Sequence, residues 1–102
     1  MAKKIVFGGS NSTELARKIA RKIKAPYAAL IIKRFPDGEL NLRLPADVKG
    51  KEVILVESMH PNPDEIMIEI IFASRTAKEL GAKKVTIVAP YLAYMRQDKR
   101  FY

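Results

Sequence analysis

The chain contains no cysteine. A disulfide scaffold, a thiolate metal site and a cysteine nucleophile are therefore excluded. It contains one histidine, His60, followed by Pro61 among turn residues, where the plain reading is a loop residue and not a catalyst or ligand. No apolar run reaches the ~18 residues that a membrane span needs. Met1-Ala2-Lys3-Lys4 leads into only a short apolar stretch, so neither a membrane helix nor a secretory signal is expected, and the expected location is cytoplasmic. Internal repeats, low-complexity tracts and linkers are also missing. Negative charge is in short supply: 11 acidic residues face 19 basic ones, a net charge of +8. That balance favours an anionic partner such as a nucleotide, a sugar phosphate or a nucleic acid. For Arg17, Lys18, Arg21, Lys22 and Lys24 the simpler reading is the solvated face of a helix.

A length of 102 residues suggests one domain. Lys4-Ile5-Val6-Phe7 reads as a short buried strand, and Gly8-Gly9-Ser10-Asn11-Ser12 as a loop. Asn11 with Glu14 has the spacing of a capping box and predicts a helix start there. Leu15, Ala16, Ile19, Ala20 and Ile23 recur at helical spacing and form one apolar face. Residues 28–32 make a second apolar run of strand length. Leu40, Leu42 and Leu44 alternate with polar residues, the period of a half-buried strand. A hairpin-like excursion over roughly 28–44 follows, with residues 36–38 near its tip.

Val53-Ile54-Leu55-Val56 is a continuous β-rich run, suited to a parallel strand covered on both faces. Asn62 or Asp64 can cap a long helix whose buried face carries Ile66, Ile70, Ala73, Ala77 and Leu80, with Gly81 as its terminator. Val85-Thr86-Ile87-Val88 is another buried strand, and Pro90 opens an irregular stretch. The order strand, helix, strand, strand, strand, helix, strand contains two strand–helix–strand crossovers. The fold class is α/β: a mainly parallel sheet flanked by helices, with a β-hairpin excursion.

Three segments carry candidate chemistry. In Arg34-Phe35-Pro36-Asp37-Gly38-Glu39 the turn accounts for Pro36, Asp37 and Gly38 but requires neither Phe35 nor Glu39. Phe35 offers an aromatic face, although an isolated aromatic is most often core. Asp37 and Glu39 offer acceptors. Near the C-terminus, Arg96-Gln97-Asp98 follows a buried strand, at the end of the sheet where open α/β folds bind ligands. Arg96 can stack on a base or fork onto phosphate. Gly8 to Ser12 joins a strand to a helix N-terminus and can present N–H groups to a phosphate. It lacks the P-loop lysine and the dinucleotide fingerprint, so a tight turn with a capped helix is the favoured reading. Glu57, Asp64, Glu65 and Glu69 form no recognisable metal spacing.

Together the 34–39 and 96–98 segments resemble those of the ribose-phosphate pyrophosphokinases, and the resemblance extends over essentially the whole chain, including Gly50-Lys51-Glu52-Val53 and the helix ending at Gly81. The resemblance implies a phosphoribosyltransferase-like N-terminal domain. It also implies that Phe35, Asp37, Gly38, Glu39, Arg96 and Gln97 contact ATP, with the Phe35 loop reaching from a neighbouring subunit of a homo-oligomer. The implied reaction moves the diphosphate of ATP to ribose 5-phosphate with Mg²⁺, whose ligands lie mostly outside this chain, so no catalytic or metal residue is assigned within it. The family enzyme is two to three times longer, the C-terminal domain is absent from these 102 residues, and the chain alone is expected to be inactive. Asp47-Val48-Lys49 stands where phosphate-activated relatives have Ser-x-Arg, so activation by phosphate and inhibition by ADP are not carried over. Two alternatives are a non-catalytic regulatory homologue and a basic nucleic-acid-binding domain, of which the resemblance disfavours the second.

Overall fold

Strands whose every residue is apolar must be covered on both faces, and the structure, a computed structural model describing residues 3–59 and 62–90, does this with one helix per face. The elements run β1 (Lys4–Gly8), α1 (Thr13–Ile23), β2 (Tyr27–Ala29), β3 (Ile31–Arg34), β4 (Leu40–Arg43), β5 (Glu52–Val56), α2 (Pro63–Glu79) and β6 (Lys84–Val88). Four strands form a parallel sheet in the order β2-β1-β5-β6. β3 and β4 pair antiparallel as a separate hairpin.

Alternation along β1 and β5 divides the core. Ile5, Phe7, Val53 and Leu55 face α2, where Ile66, Ile70, Ala73 and Ala77 meet them. Val6, Ile54 and Val56 face α1 and meet Ala16 and Ala20. The buried part of α1 is therefore alanine, and the helix lies close to the sheet. Leu15 and Ile23, expected on its apolar face, are instead exposed, while Ile19 is half-buried at the edge. Each buried aliphatic or aromatic side chain on the α2 side contributes ~1.5–3 kcal/mol, so most of the apolar stabilisation lies on that face.

Other local expectations change. Residues 85–88, expected as a buried strand, lie on the edge strand β6, which is at most half-buried with Ile87 exposed. The run 28–32 is not one strand. Residues 27–29 pair with β1, whereas residues 31–34 pair with β4, and buried Leu30 is the pivot, its N–H donating to the Gly8 carbonyl at 3.1 Å. The chain leaves the parallel sheet there to build the hairpin. The capping box does not form. Helix α1 begins at Thr13 with Ser12 at the N-cap and no side-chain cap bond. Asn11 instead donates to the Ser58 carbonyl (3.3 Å) and to Asn62 Oδ1 (2.6 Å), and Ser12 Oγ accepts from the Ser58 N–H (2.8 Å). Long-range partners have replaced the local cap. Leu80, expected to be buried, is half exposed, because the chain leaves helical register there. Gly81 N–H donates to the Lys78 carbonyl and Ala82 N–H to the Ala77 carbonyl, each at 3.0 Å, closing the helix in a Schellman turn as the glycine implied.

The hairpin is anchored at its base, where Ile32, Leu42, Leu44 and Ala46 pack against the α2-side core. Beyond them it runs into solvent: residues 33–39 are all exposed. The fold thus projects the 35–39 turn away from the core on a two-stranded arm.

Candidate functional site

The hairpin tip is held by its own bonds. Phe35 N–H donates to the Glu39 carbonyl and Gly38 N–H to the Phe35 carbonyl, both at 2.8 Å. Glu39 N–H donates to Asp37 Oδ1 at 3.0 Å, and Arg34 Nη1 to the Gly38 carbonyl at 2.9 Å. Gly38 has φ +90°, a left-handed conformation that a side chain would strain. Aspartate at 37 and glycine at 38 therefore have a structural duty in the turn. Phe35 has none of this kind. It is 49% exposed, so it is not the core residue that an isolated aromatic usually is. The structure brings Phe35, Asp37, Gly38 and Glu39 together on one exposed tip. Arg96, Gln97 and His60 lie outside the described residues.

The loop between β1 and α1 is built differently. Gly9 N–H donates to the Val56 carbonyl at 3.0 Å, holding the loop over the end of β5. A Cβ at Gly9 would overlap the Glu57 carboxyl, and one at Gly8 would come within 2.9 Å of the Ala16 Cβ. These glycines serve close approach, which accounts for the Gly-Gly pair without a phosphate. An open cleft of ≈580 Å³ lies at this end of the sheet, lined by Ser10, Asn11, Thr13, Glu14, Lys18 and Ser58 among others. None of residues 34–39 lines it.

Beneath that loop sit two carboxyl groups that spacing had not singled out. Glu57 is fully buried and Glu69 is 4% exposed. Glu69 accepts from the Ser10 N–H (2.8 Å) and the Ser10 hydroxyl (2.7 Å). Neither Glu57 oxygen receives a protein donor. Burial, then the hydrogen bond and the charge of Glu69, push the Glu57 carboxyl up to about 9. It is a neutral acid at pH 7 and can donate to Glu69. Two signals in the sequence pointed here. Glu57 directly follows the apolar run of β5, and position 69 lies on the stripe of Ile66, Ile70 and Ala73, where a charge is out of place.

Among the described residues no group of three or more His, Cys, Asp or Glu could hold a metal ion. No helix of the described part is long and apolar enough to cross a membrane.

A family model described as the N-terminal domain of ribose phosphate pyrophosphokinase matches residues 4–101. The chain is 38% identical over 97 residues to a ribose-phosphate pyrophosphokinase of Saccharolobus solfataricus, covering 95% of this chain and 33% of that protein. It is 41% identical over 92 residues to ribose-phosphate pyrophosphokinase 1 of Archaeoglobus fulgidus, covering 90% and 32%. The chain thus spans about a third of the length of these relatives. The solved structure of phosphoribosylpyrophosphate synthetase from Mycobacterium smegmatis superposes with a TM-score of 0.83 at 28% identity, over 96% of this chain and 33% of that one. A purine phosphoribosyltransferase from Pyrococcus horikoshii superposes at 0.59 with 18% identity, over 89% and 65%, a likeness of fold. With residues 4–101 matched, this chain belongs to the family of the ribose phosphate pyrophosphokinase N-terminal domain.

Proposed function

We propose that this chain is the ATP-recognising, N-terminal part of a ribose-phosphate pyrophosphokinase, the complete protein transferring the diphosphate of ATP to ribose 5-phosphate. The observation that carries the reading is the half-exposed Phe35 ring on a turn already locked by residues 34–39. An exposed aromatic on a preorganised loop is suited to stacking on a base, a contact worth ~1–3 kcal/mol. The Glu39 side chain and the Asp37 oxygen not engaged by the turn would accept from the exocyclic amine of adenine. Arg96 and Gln97 would complete the nucleotide site from the segment after β6. The tip extends from the core, which supports a reading in which it serves a site on a neighbouring subunit of a homo-oligomer.

In the reaction the C1 hydroxyl oxygen of ribose 5-phosphate attacks the β-phosphorus. The bond from that phosphorus to the α-side bridging oxygen breaks, AMP leaves, and the hydroxyl proton is lost to solvent or a base. Positioning and charge neutralisation dominate such transfers. Mg²⁺ would supply part of that neutralisation when bound, but the described residues offer no ligand set for it and none is assigned. The residues named here hold and orient the nucleotide and move no proton. The acceptor site lies in the part of the protein beyond this chain, and the location is cytoplasmic. The test is Phe35→Ala in the full-length protein, with ATP and ribose 5-phosphate binding followed by calorimetry and turnover by AMP release. ATP affinity falls about 5- to 150-fold while ribose 5-phosphate affinity is kept. Unchanged ATP affinity would overturn the assignment of the tip.

A further inference from the structure

The Glu57–Glu69 pair lies apart from the hairpin tip and has no part in the nucleotide contacts proposed above. Its surroundings define what it does. Glu57 directly follows β5, its N–H donating to the Val88 carbonyl at 2.9 Å, so its backbone is fixed between β5 and the end of β6. Its carboxyl points under Gly9, where no side chain fits. The charged group facing it from α2 is Glu69. The groups facing the pair from the β1–α1 loop, Gly9 and Ser10, are neutral. Glu14 and Lys18 of α1 belong to the cleft lining on that side. Two adjacent carboxylates, one of them receiving no protein donor at either oxygen, cannot both stay charged in a buried site. One proton between them removes the conflict.

We propose that Glu57 and Glu69 form a proton-sharing latch that positions the β1–α1 loop: Glu57 as the acid donates to Glu69, and Glu69 holds both donors of Ser10. Glu57 is thus a positioning residue acting through Glu69, and the loop it sets forms one wall of the cleft at the carboxyl end of the sheet. Loss of the proton places a second negative charge beside Glu69, and the loop lifts to let water reach the pair. The latch is a property of this chain whatever ligand the cleft receives.

The test is infrared spectroscopy of the full-length protein across pH 6 to 10, combined with hydrogen-exchange protection of the peptide containing Ser10. The wild type shows a buried protonated-carboxyl C=O band that disappears with a midpoint near 9, and Ser10-region protection falls at least tenfold over the same range. Glu57→Gln keeps the shape and a donor for Glu69, so it lacks the band and holds its protection at high pH. A wild-type protein with no such band at pH 7 would overturn the latch, and this measurement depends on no variant folding. So would a pH-dependent loss of protection that persists in Glu57→Gln. Ser10→Ala, a change at an exposed position, keeps the band but lowers protection at every pH; loss of the band in that variant would also count against the assignment.

Discussion

The hairpin tip and the β1–α1 loop are both turns rich in glycine and polar residues, and they are held by opposite means. At the tip every bond described joins residues no more than four positions apart. At the other loop Ser10 and Glu69 are 59 positions apart, and Glu57 comes from a third segment. Every residue of the tip is exposed to solvent, Phe35 by about half, whereas the carboxyl pair beneath the loop is buried. A turn that satisfies itself can stand clear of the core and keep its side chains free for a ligand. A loop held by buried charge depends on the whole sheet and on pH. Substitutions at the tip should therefore change binding and spare stability, while those at the latch should change stability first.

The largest effect expected is that of pH. In the folded protein Glu57 is held neutral up to about 9, well above an unfolded carboxylate. Over the interval between the two values the folded state binds the extra proton. Its contribution is complete below the unfolded value and is lost as pH rises, at ~1.4 kcal/mol per unit, until the loss ends above the folded value. Urea unfolding of wild type and Glu57→Gln from pH 5 to 9 should give curves that diverge steadily, with the wild type falling relative to the variant. Parallel curves would remove the contrast between the two turns.

Next comes Gly9→Ala. The added methyl overlaps the Glu57 carboxyl, so the loop or the strand end must move. Overpacking of this kind costs ~1–3 kcal/mol, and here it also disturbs a buried charge pair. We expect about 3 kcal/mol of lost stability in chemical denaturation. A loss under about 0.5 kcal/mol would mean that the loop does not press on Glu57.

The same contrast explains what was legible in the sequence. Alternating and continuous apolar runs located the sheet strands, because burial on one or two faces is written in nearest neighbours. The Pro36-Asp37-Gly38 turn was legible because its bonds are local. Leu30 as a pivot was not, since a run of five apolar residues carries no mark of where it changes partners. The capping box at Asn11 and Glu14 misled because Asn11 has partners at Ser58 and Asn62, 47 and 51 positions away. Glu57 and Glu69 are each marked in the sequence, as a charge after β5 and on the apolar stripe of α2, but nothing local pairs them, because they meet only when the two elements pack. Arg96 and Gln97, read from the family resemblance, fall outside the described residues.

Phe35→Ala carries a smaller stability effect and a larger functional one. Half its ring is in water already, so unfolding free energy should change by no more than ~0.5 kcal/mol. ATP binding by the full-length protein should weaken by ~1–3 kcal/mol. A stability loss comparable to that of Gly9→Ala would show that the ring is packed against something in the complete protein, and the proposed separation of roles would fail.

The smallest effect distinguishes the two duties of Asp37. Its Oδ1 accepts from the Glu39 N–H at 3.0 Å, which holds the turn, while in the proposed nucleotide site its second oxygen would accept from the base. Asp37→Asn keeps an acceptor for the turn, so stability should stay within ~0.5 kcal/mol of wild type. Asp37→Ala removes the acceptor on an exposed turn and should cost about 0.5–1 kcal/mol, the net worth of one such bond. ATP binding separates the variants in another way. An amide can turn its oxygen or its NH₂ outward, but with its oxygen engaged by Glu39 it presents the NH₂, a donor facing the donor of adenine. Asp37→Asn should therefore bind ATP at least as poorly as Asp37→Ala, although it is the more stable of the two. If the order of affinities follows the order of stabilities, Asp37 acts only by shaping the turn, and recognition at the tip falls to Phe35 and Glu39.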